Sequence, residues 1–210
     1  MVERRERERE EIRRKILDAA RELFTGEGYE RVTMRRIAEA IEYSPTTIYN
    51  HFADKDALVQ ALCHEDFARL FQHLQEQPSP ADPVAAIRQL GQAYARFGTT
   101  HPNHYRFMFM TPAKFEHPED HDRSPGEQAF GLLRAAVAAA VDGGHFRDGD
   151  VDTMAQVLWA SIHGAVALLI TLHPQLWPHG PARPDLIPQV IEAGIRGLLA
   201  EGPAAGPRRH

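Results

Sequence analysis

An all-α fold is predicted by three observations. Apolar residues recur at helical spacing through nearly the whole chain, no apolar–polar alternation bounded by hairpin signals appears, and Gly pairs and Pro clusters separate the periodic stretches. No internal repeat is found.

The elements follow in order. Ile12, Ile16, Leu17, Ala20, Leu23 and Phe24 form one helical stripe that stops at Gly26 and Gly28, residues suited to ending a helix. Thr33 has an N-cap oxygen ahead of a short helix, Met34 to Ala40, and Ser44 caps a second with Pro45 at its first position, where a missing N–H costs nothing. Asp54 opens a longer helix with Val59, Cys63, Phe67, Leu70 and Leu74 on one stripe. The cluster Gln77 to Pro83 ends it, because its three prolines cannot continue a helix. Val84, Ile87, Leu90, Tyr94 and Phe97 mark the next helix, and His101 to Met110 a short aromatic-rich one. Thr111 to Ser124 reads as a polar loop; Phe130, Leu133, Val137 and Val141 give a helix ended by Gly143 and Gly144. Asp150–Leu172 and Pro184–Ala200 are the last two helices, and residues 202–210 have no apolar period and read as a disordered tail.

Composition narrows the function classes. With 210 residues, 43% apolar and 25% charged, the chain suits one domain or two small ones with a buried core. One cysteine excludes an intramolecular disulfide framework and fits a reducing compartment. The longest apolar run, Ala160 to Leu172, is interrupted by His163 and Gly164, and the opening MVERRERERE is the opposite of a signal-peptide core, so a cytoplasmic protein is expected. The net charge of −5 is not that of a basic domain; residues 1–60 hold 12 Lys/Arg against 13 Asp/Glu, the remainder 12 against 16. Arg4, Arg5, Arg7, Arg9, Arg13, Arg14 and Lys15 nevertheless crowd the start, interleaved with glutamates. Two readings stand: a solvated helix with ion pairs at i,i+4, or a basic arm lying along DNA.

The informative stretch is Thr33 to Lys55, TMRRIAEAIEYSPTTIYNHFADK. Two short helices joined by Ile41 to Ser44 cross steeply and let the second project. Ala38 supplies the small residue at the crossing, and Ile37, Ile41, Tyr43 and Ile48 supply anchors. The exposed face then carries Thr46, Thr47 and Asn50, short uncharged hydrogen-bonding side chains suited to base edges in a major groove. Tyr49 and His51 flank that face within reach of phosphates, and Lys55 opens the next helix, where a phosphate is favoured. Thr33, Arg35 and Ser44 complete the candidate DNA-contacting set. An ordinary αα-corner with solvated polar residues is the alternative.

The string T-x3-IA-x4-YS-x2-TIY-x2-F-x2-K-x2-L, from Thr33 to Leu58, resembles the DNA-binding segment of the TetR family of bacterial transcriptional regulators. The match extends back through the Ile12 to Phe24 helix and the Gly28-Tyr29 turn. The resemblance implies a helix-turn-helix DNA-binding domain over 1–56 and a ligand-binding and dimerisation domain over 57–201. It also implies a homodimer on a palindromic operator, most simply a repressor, with a buried effector moving the fourth helix. One departure is Glu42, in a turn where the family often has Gly. Trp159-Ala-Ser-Ile-His163-Gly164 resembles the Trp–His–Gly signature of one subgroup, and His101 to Tyr105 the segment opening that subgroup's sixth helix.

Further candidates lie in the second half. Trp159 and His163 share a helical face and either line an effector pocket or are packed core; Gly164 permits close helix approach. Phe67, Phe71, Phe97, Tyr105, Phe109 and Phe130 come from four helices, and such a set builds either core or an apolar small-molecule pocket. The aromatic lining favours a small, largely apolar or aromatic effector. His117 and His121 lie four apart beside Pro118 in a loop without cysteine, so no metal site is assigned. Cys63 and His64 are adjacent on a helix and point apart; with no phosphate loop or nucleophile elbow present, no enzyme and no cofactor are implied. The Asp150–Leu172 helix is apolar on two faces, and with Ile187, Val190, Ile191, Gly194 and Leu198 it predicts a two-fold four-helix interface. The competing reading is a helical small-molecule or protein-binding module without sequence-specific DNA binding.

Overall fold

The computed structural model describes residues 2–110, 124–179 and 183–200. The 111–123 part of the polar loop, with His117 and His121, and the 202–210 tail lie outside the described residues. Nine α-helices are present among the described residues. They are α1 (Val2–Glu27), α2 (Met34–Ala40), α3 (Pro45–Tyr49), α4 (Lys55–Gln75), α5 (Pro83–Thr100), α6 (Pro102–Met110), α7 (Pro125–Asp142), α8 (Val151–Thr171) and α9 (Leu186–Arg196). They form two compact units, divided within α4 between Arg69 and Leu70. The first unit holds α1 to α3, most of α4, and α6; the second holds the end of α4, α5, α7 from Glu127, α8 and α9.

In the first unit the charged N-terminal run is helical from Val2. Arg4–Glu8 and Glu11–Lys15 pair at i,i+4, each at 2.9 Å, which supports the solvated-helix reading locally. Gly28, at φ +87°, ends α1, and its N–H donates to the Phe24 carbonyl. Ile16, Leu17 and Phe24 of α1 meet Ile37, Ile48, Leu58, Leu62 and, from α6, Phe107 in one core. Phe24 and Phe107 stack at 5.7 Å between ring centres.

A buried polar cluster lies beside that core. Arg21 of α1 donates through Nε and Nη2 to both carboxylate oxygens of Asp66 on α4, at 3.0 and 2.8 Å. Asp66 is fully buried, and His104 Nδ1 of α6 lies 2.9 Å from its Oδ1. Burial, with the Asp66 charge beside it, pushes the Cys63 thiol up to about 12, so this cysteine is an inert core residue.

In the second unit α8 packs on both α5 and α9, burying Met154, Leu158, Ile162, Ala165 and Val166. By length and composition α8 could cross a membrane, contrary to the sequence expectation, because the helix extends back from Ala160 past Leu158, Val157 and Met154 to Val151. Its buried side chains pack within the unit as those of a core helix do. Close approach occurs at Gly194 rather than at Gly164. A Cβ on Gly194 would meet Leu158 at 2.9 Å, whereas one on Gly164 meets nothing within 4 Å.

Two expectations for the last helix are corrected. It runs only from Leu186 to Arg196, because Gly197 caps it and the chain then pairs with the α7–α8 connection. Phe146 and Leu199 form an antiparallel bridge, with Arg147 N–H donating to the Leu198 carbonyl and Ala200 N–H to that of His145. Ile191 and Leu198, assigned to a dimer face, are instead buried within the chain's own second unit, at 6% and 5% exposure. Their apolar spacing satisfies an intrachain contact that sequence periodicity does not distinguish from an interface.

Candidate functional site

The α2–α3 segment is built by local capping. Thr33 Oγ1 accepts from Arg36 N–H at 3.1 Å, and Ser44 Oγ accepts from Thr47 N–H at 3.2 Å. Ser44 and Thr47 also share a hydroxyl–hydroxyl bond of 2.9 Å. Helix α3 has five residues, and Ile48 alone is buried. Thr46, Tyr49 and Asn50 are therefore exposed and Thr47 half-buried, which places the sequence-assigned face outward.

Glu42 occupies the turn at φ +59°, the left-handed region that favours glycine. The turn geometry is kept, and the non-Gly residue carries the strain. Glu42→Gly should raise stability by about 0.5–1 kcal/mol, the relieved strain being partly offset by glycine's greater freedom when unfolded. Equal or lower denaturation midpoints in urea would show that Glu42 is unstrained.

Of the flanking residues, Arg35 is exposed and pairs with Glu39 at 3.2 Å. His51 is half-buried at the end of α3; burial first, then the charges of Arg9 and Arg13, hold its imidazole below its ordinary range. Its neutral form is therefore favoured at pH 7. Lys55 turns inward: its Nζ donates to the Tyr29 carbonyl and lies 3.8 Å from the centre of the Tyr29 ring. Tyr29 in turn donates its O–H to Asp56 at 2.8 Å, and burial with that bond pushes the phenol up to about 12.

The effector candidates fall in both compact units, and each group has its own neighbours there. In the first, Phe109 meets Phe67 edge-on at 5.4 Å and Tyr105 at 4.8 Å, and Tyr105 is fully buried. In the second, Trp159 lies 6.2 Å from Phe130 and 5.5 Å from His163, while Phe97 is buried beside His73 and Phe71 is half-buried. Sequence reasoning missed Tyr94, which joins these groups. Trp159 Nε1–H donates to the Tyr94 hydroxyl at 3.2 Å, and that hydroxyl lies 3.1 Å from His163 Nδ1. Burial lowers the His163 pKa, so its neutral ring can accept a hydrogen bond from the Tyr94 O–H. The available signal was a tyrosine on an otherwise apolar stripe, since a buried phenol needs a partner.

Comparison with known proteins bears on both units. Residues 16–62 match the model of bacterial regulatory proteins of the tetR family, and residues 87–187 match that of the tetracyclin repressor-like C-terminal domain. The chain is 50% identical over 58 residues to the HTH-type transcriptional repressor Rv1474c of Mycobacterium tuberculosis, covering 28% of this chain and 31% of the relative. It is 44% identical over 64 residues to the repressor AcnR of Corynebacterium efficiens, covering 30% and 34%. The matched stretches thus span about a third of these relatives. A TetR family regulator from Marinobacter aquaeolei shares the fold with TM-score 0.74 at 18% identity, covering 95% of this chain and 100% of that one. The ketosteroid regulator KstR2 of Mycobacterium tuberculosis does so with TM-score 0.66 at 20% identity, covering 90% and 95%. The two domain matches together take in more than half of the sequence, and with the capped α2–α3 corner in this fold they show that the chain belongs to the TetR family of bacterial regulatory proteins.

Proposed function

We propose that this chain is a cytoplasmic transcriptional repressor that binds a palindromic operator as a homodimer and is released by a small, largely apolar or aromatic effector. The observation that carries the reading is α3 with its C-cap, anchored by Ile48 and leaving Thr46 and Asn50 exposed and Thr47 half-buried beside them. These three read base edges. Thr33, Arg35, Ser44, Tyr49 and His51 hold the backbone, and Lys55 joins them by exchanging the Tyr29 carbonyl for a phosphate. The proposed domains remain 1–56 for DNA and 57–201 for ligand and dimerisation. Effector contact is assigned to Phe130, Trp159 and His163 with Tyr94, whose hydroxyl chain supplies the polar element of an aromatic surface. The two-fold contact uses α8 and α9, where Val157 and Leu168 of α8 stay about half exposed within one chain.

Selection of bound sites from random duplexes tests the reading directly. A recovered inverted repeat is the expected result; retention of no sequence leaves the binding-module reading in its place. Asn50→Ala should cost about 1–3 kcal/mol on the selected site and relax its preference at one position per half-site. Unchanged affinity and preference would move the reading face elsewhere. Sedimentation at micromolar concentration reads the assembly, and a monomer there removes the homodimer.

A further inference from the structure

The cations of α1 are not equivalent. Arg4, Arg13 and Lys15 are each tied to a carboxylate, on Glu8, Glu65 and Glu11 respectively. Arg5 and Arg9 have no such partner among the described residues. Both line an open groove whose other wall is Thr47, Asn50 and His51 of the α3 region. Its one carboxylate, Glu8, is held by Arg4, which leaves the groove positive. The adjoining groove, by contrast, sets Glu6 and Glu10 against Arg9 and Arg13, and Arg13 is committed to Glu65. Unbalanced positive charge therefore lies beside Thr47 and Asn50.

Arg5 and Arg9 are four residues apart on one continuous helix, so their stems rise about 6 Å along one face. The helix is anchored farther along by Ile16 and Leu17, both essentially inaccessible. The anchored backbone thus carries two exposed guanidinium groups on one face, and polyanionic duplex backbone is the ligand such a pair fits.

We propose that Arg5 and Arg9 form a second DNA contact, gripping the sugar–phosphate backbone beside the groove that α3 enters, so that α1 and α3 hold the duplex together. The proposal rests on the DNA-binding reading above. The contact adds affinity and steering without sequence information, which also answers how a chain of net charge −5 holds DNA: the positive charge is placed locally.

The test uses the full chain and the selected duplex, with affinity followed between ~50 and ~200 mM salt. For Arg5→Ala with Arg9→Ala, four phosphate contacts per dimer are lost, and the log–log salt slope should become shallower by about 3–4. The ranking of duplexes should stay unchanged, and Arg5→Lys with Arg9→Lys should restore the slope, since a phosphate accepts a point charge. Alanine is the better helix former, so helicity is not at risk, and circular dichroism verifies it. An unchanged slope in the alanine pair, or an altered ranking at constant slope, overturns the proposal. Wild-type protein that selects no duplex removes the DNA-binding reading itself, a failure seen before any variant is made.

Discussion

Asp66→Asn should cost about 3 kcal/mol of stability in the first unit, because it leaves the buried Arg21 guanidinium with only the exposed Asp18 carboxylate, 2.9 Å from Nη1, as counter-charge. Arg21 is 4% exposed and Asp66 fully buried, so water cannot take over the lost interaction. Both Arg21 nitrogens that face Asp66 lose charge-assisted bonds, and His104 loses its acceptor's charge as well. The measurement is urea unfolding followed by a probe in the first unit, with the Arg21→Met, Asp66→Leu double variant as control. Replacing both charges by apolar groups of similar size should recover most of the loss, since a buried ion pair rarely outweighs good apolar packing. Added salt should change the wild-type value little, because a buried pair is poorly screened. A cost below about 1 kcal/mol for Asp66→Asn would mean that the cluster is hydrated and behaves like the exposed Arg4–Glu8 pair.

Phe107→Ala should be about as damaging, at about 3–5 kcal/mol. The ring is 1% exposed and stacks on Phe24, so truncation removes an aromatic pair and opens a cavity in the core shared by α1, α2, α3 and α4. The loss should appear in the α3 region too, as reduced DNA affinity near the unfolding temperature, although Phe107 is far along the sequence from Thr46 and Asn50. Phe107→Leu should restore about half. If Phe107→Ala unfolds at the wild-type temperature, α6 does not contribute to this core.

The residues legible in the sequence were those whose geometry is decided locally. The Thr33 and Ser44 caps, Pro45 at the start of α3 and the stop at Gly28 each follow from bonds within a few residues. The outward face of α3 follows from one apolar anchor among polar neighbours. What escaped is set by tertiary contact. Arg21, Asp66 and His104 stand on three helices and look like ordinary surface residues until the helices meet. A hint was present, since Asp66 falls on the Cys63–Leu70 apolar stripe and a carboxylate there implies a buried partner. The inward turn of Lys55 depends on a carbonyl in the α1–α2 connection, and the extent of α9 on the backbone at His145 and Arg147. Helical periodicity told which residues of α8 and α9 are apolar, but not which of them the chain covers by itself.

The placement of Phe107 has a consequence for biosynthesis. Translation delivers α1 to α4 first, yet the core they share lacks one ring until α5 has been made and α6 follows. At ~5–20 residues per second, the interval between Leu58 and Phe107 lasts roughly 3–10 s. During that interval α5 also emerges, with Ile87, Tyr94 and Phe97 destined for burial and α8 and α9 not yet synthesised. The nascent protein thus holds two unfinished cores at once, although its first four helices look in sequence like a self-sufficient module. A ribosome that pauses within α5 would prolong the exposure of both, while a pause after Met110 would let the first core close before the second is begun.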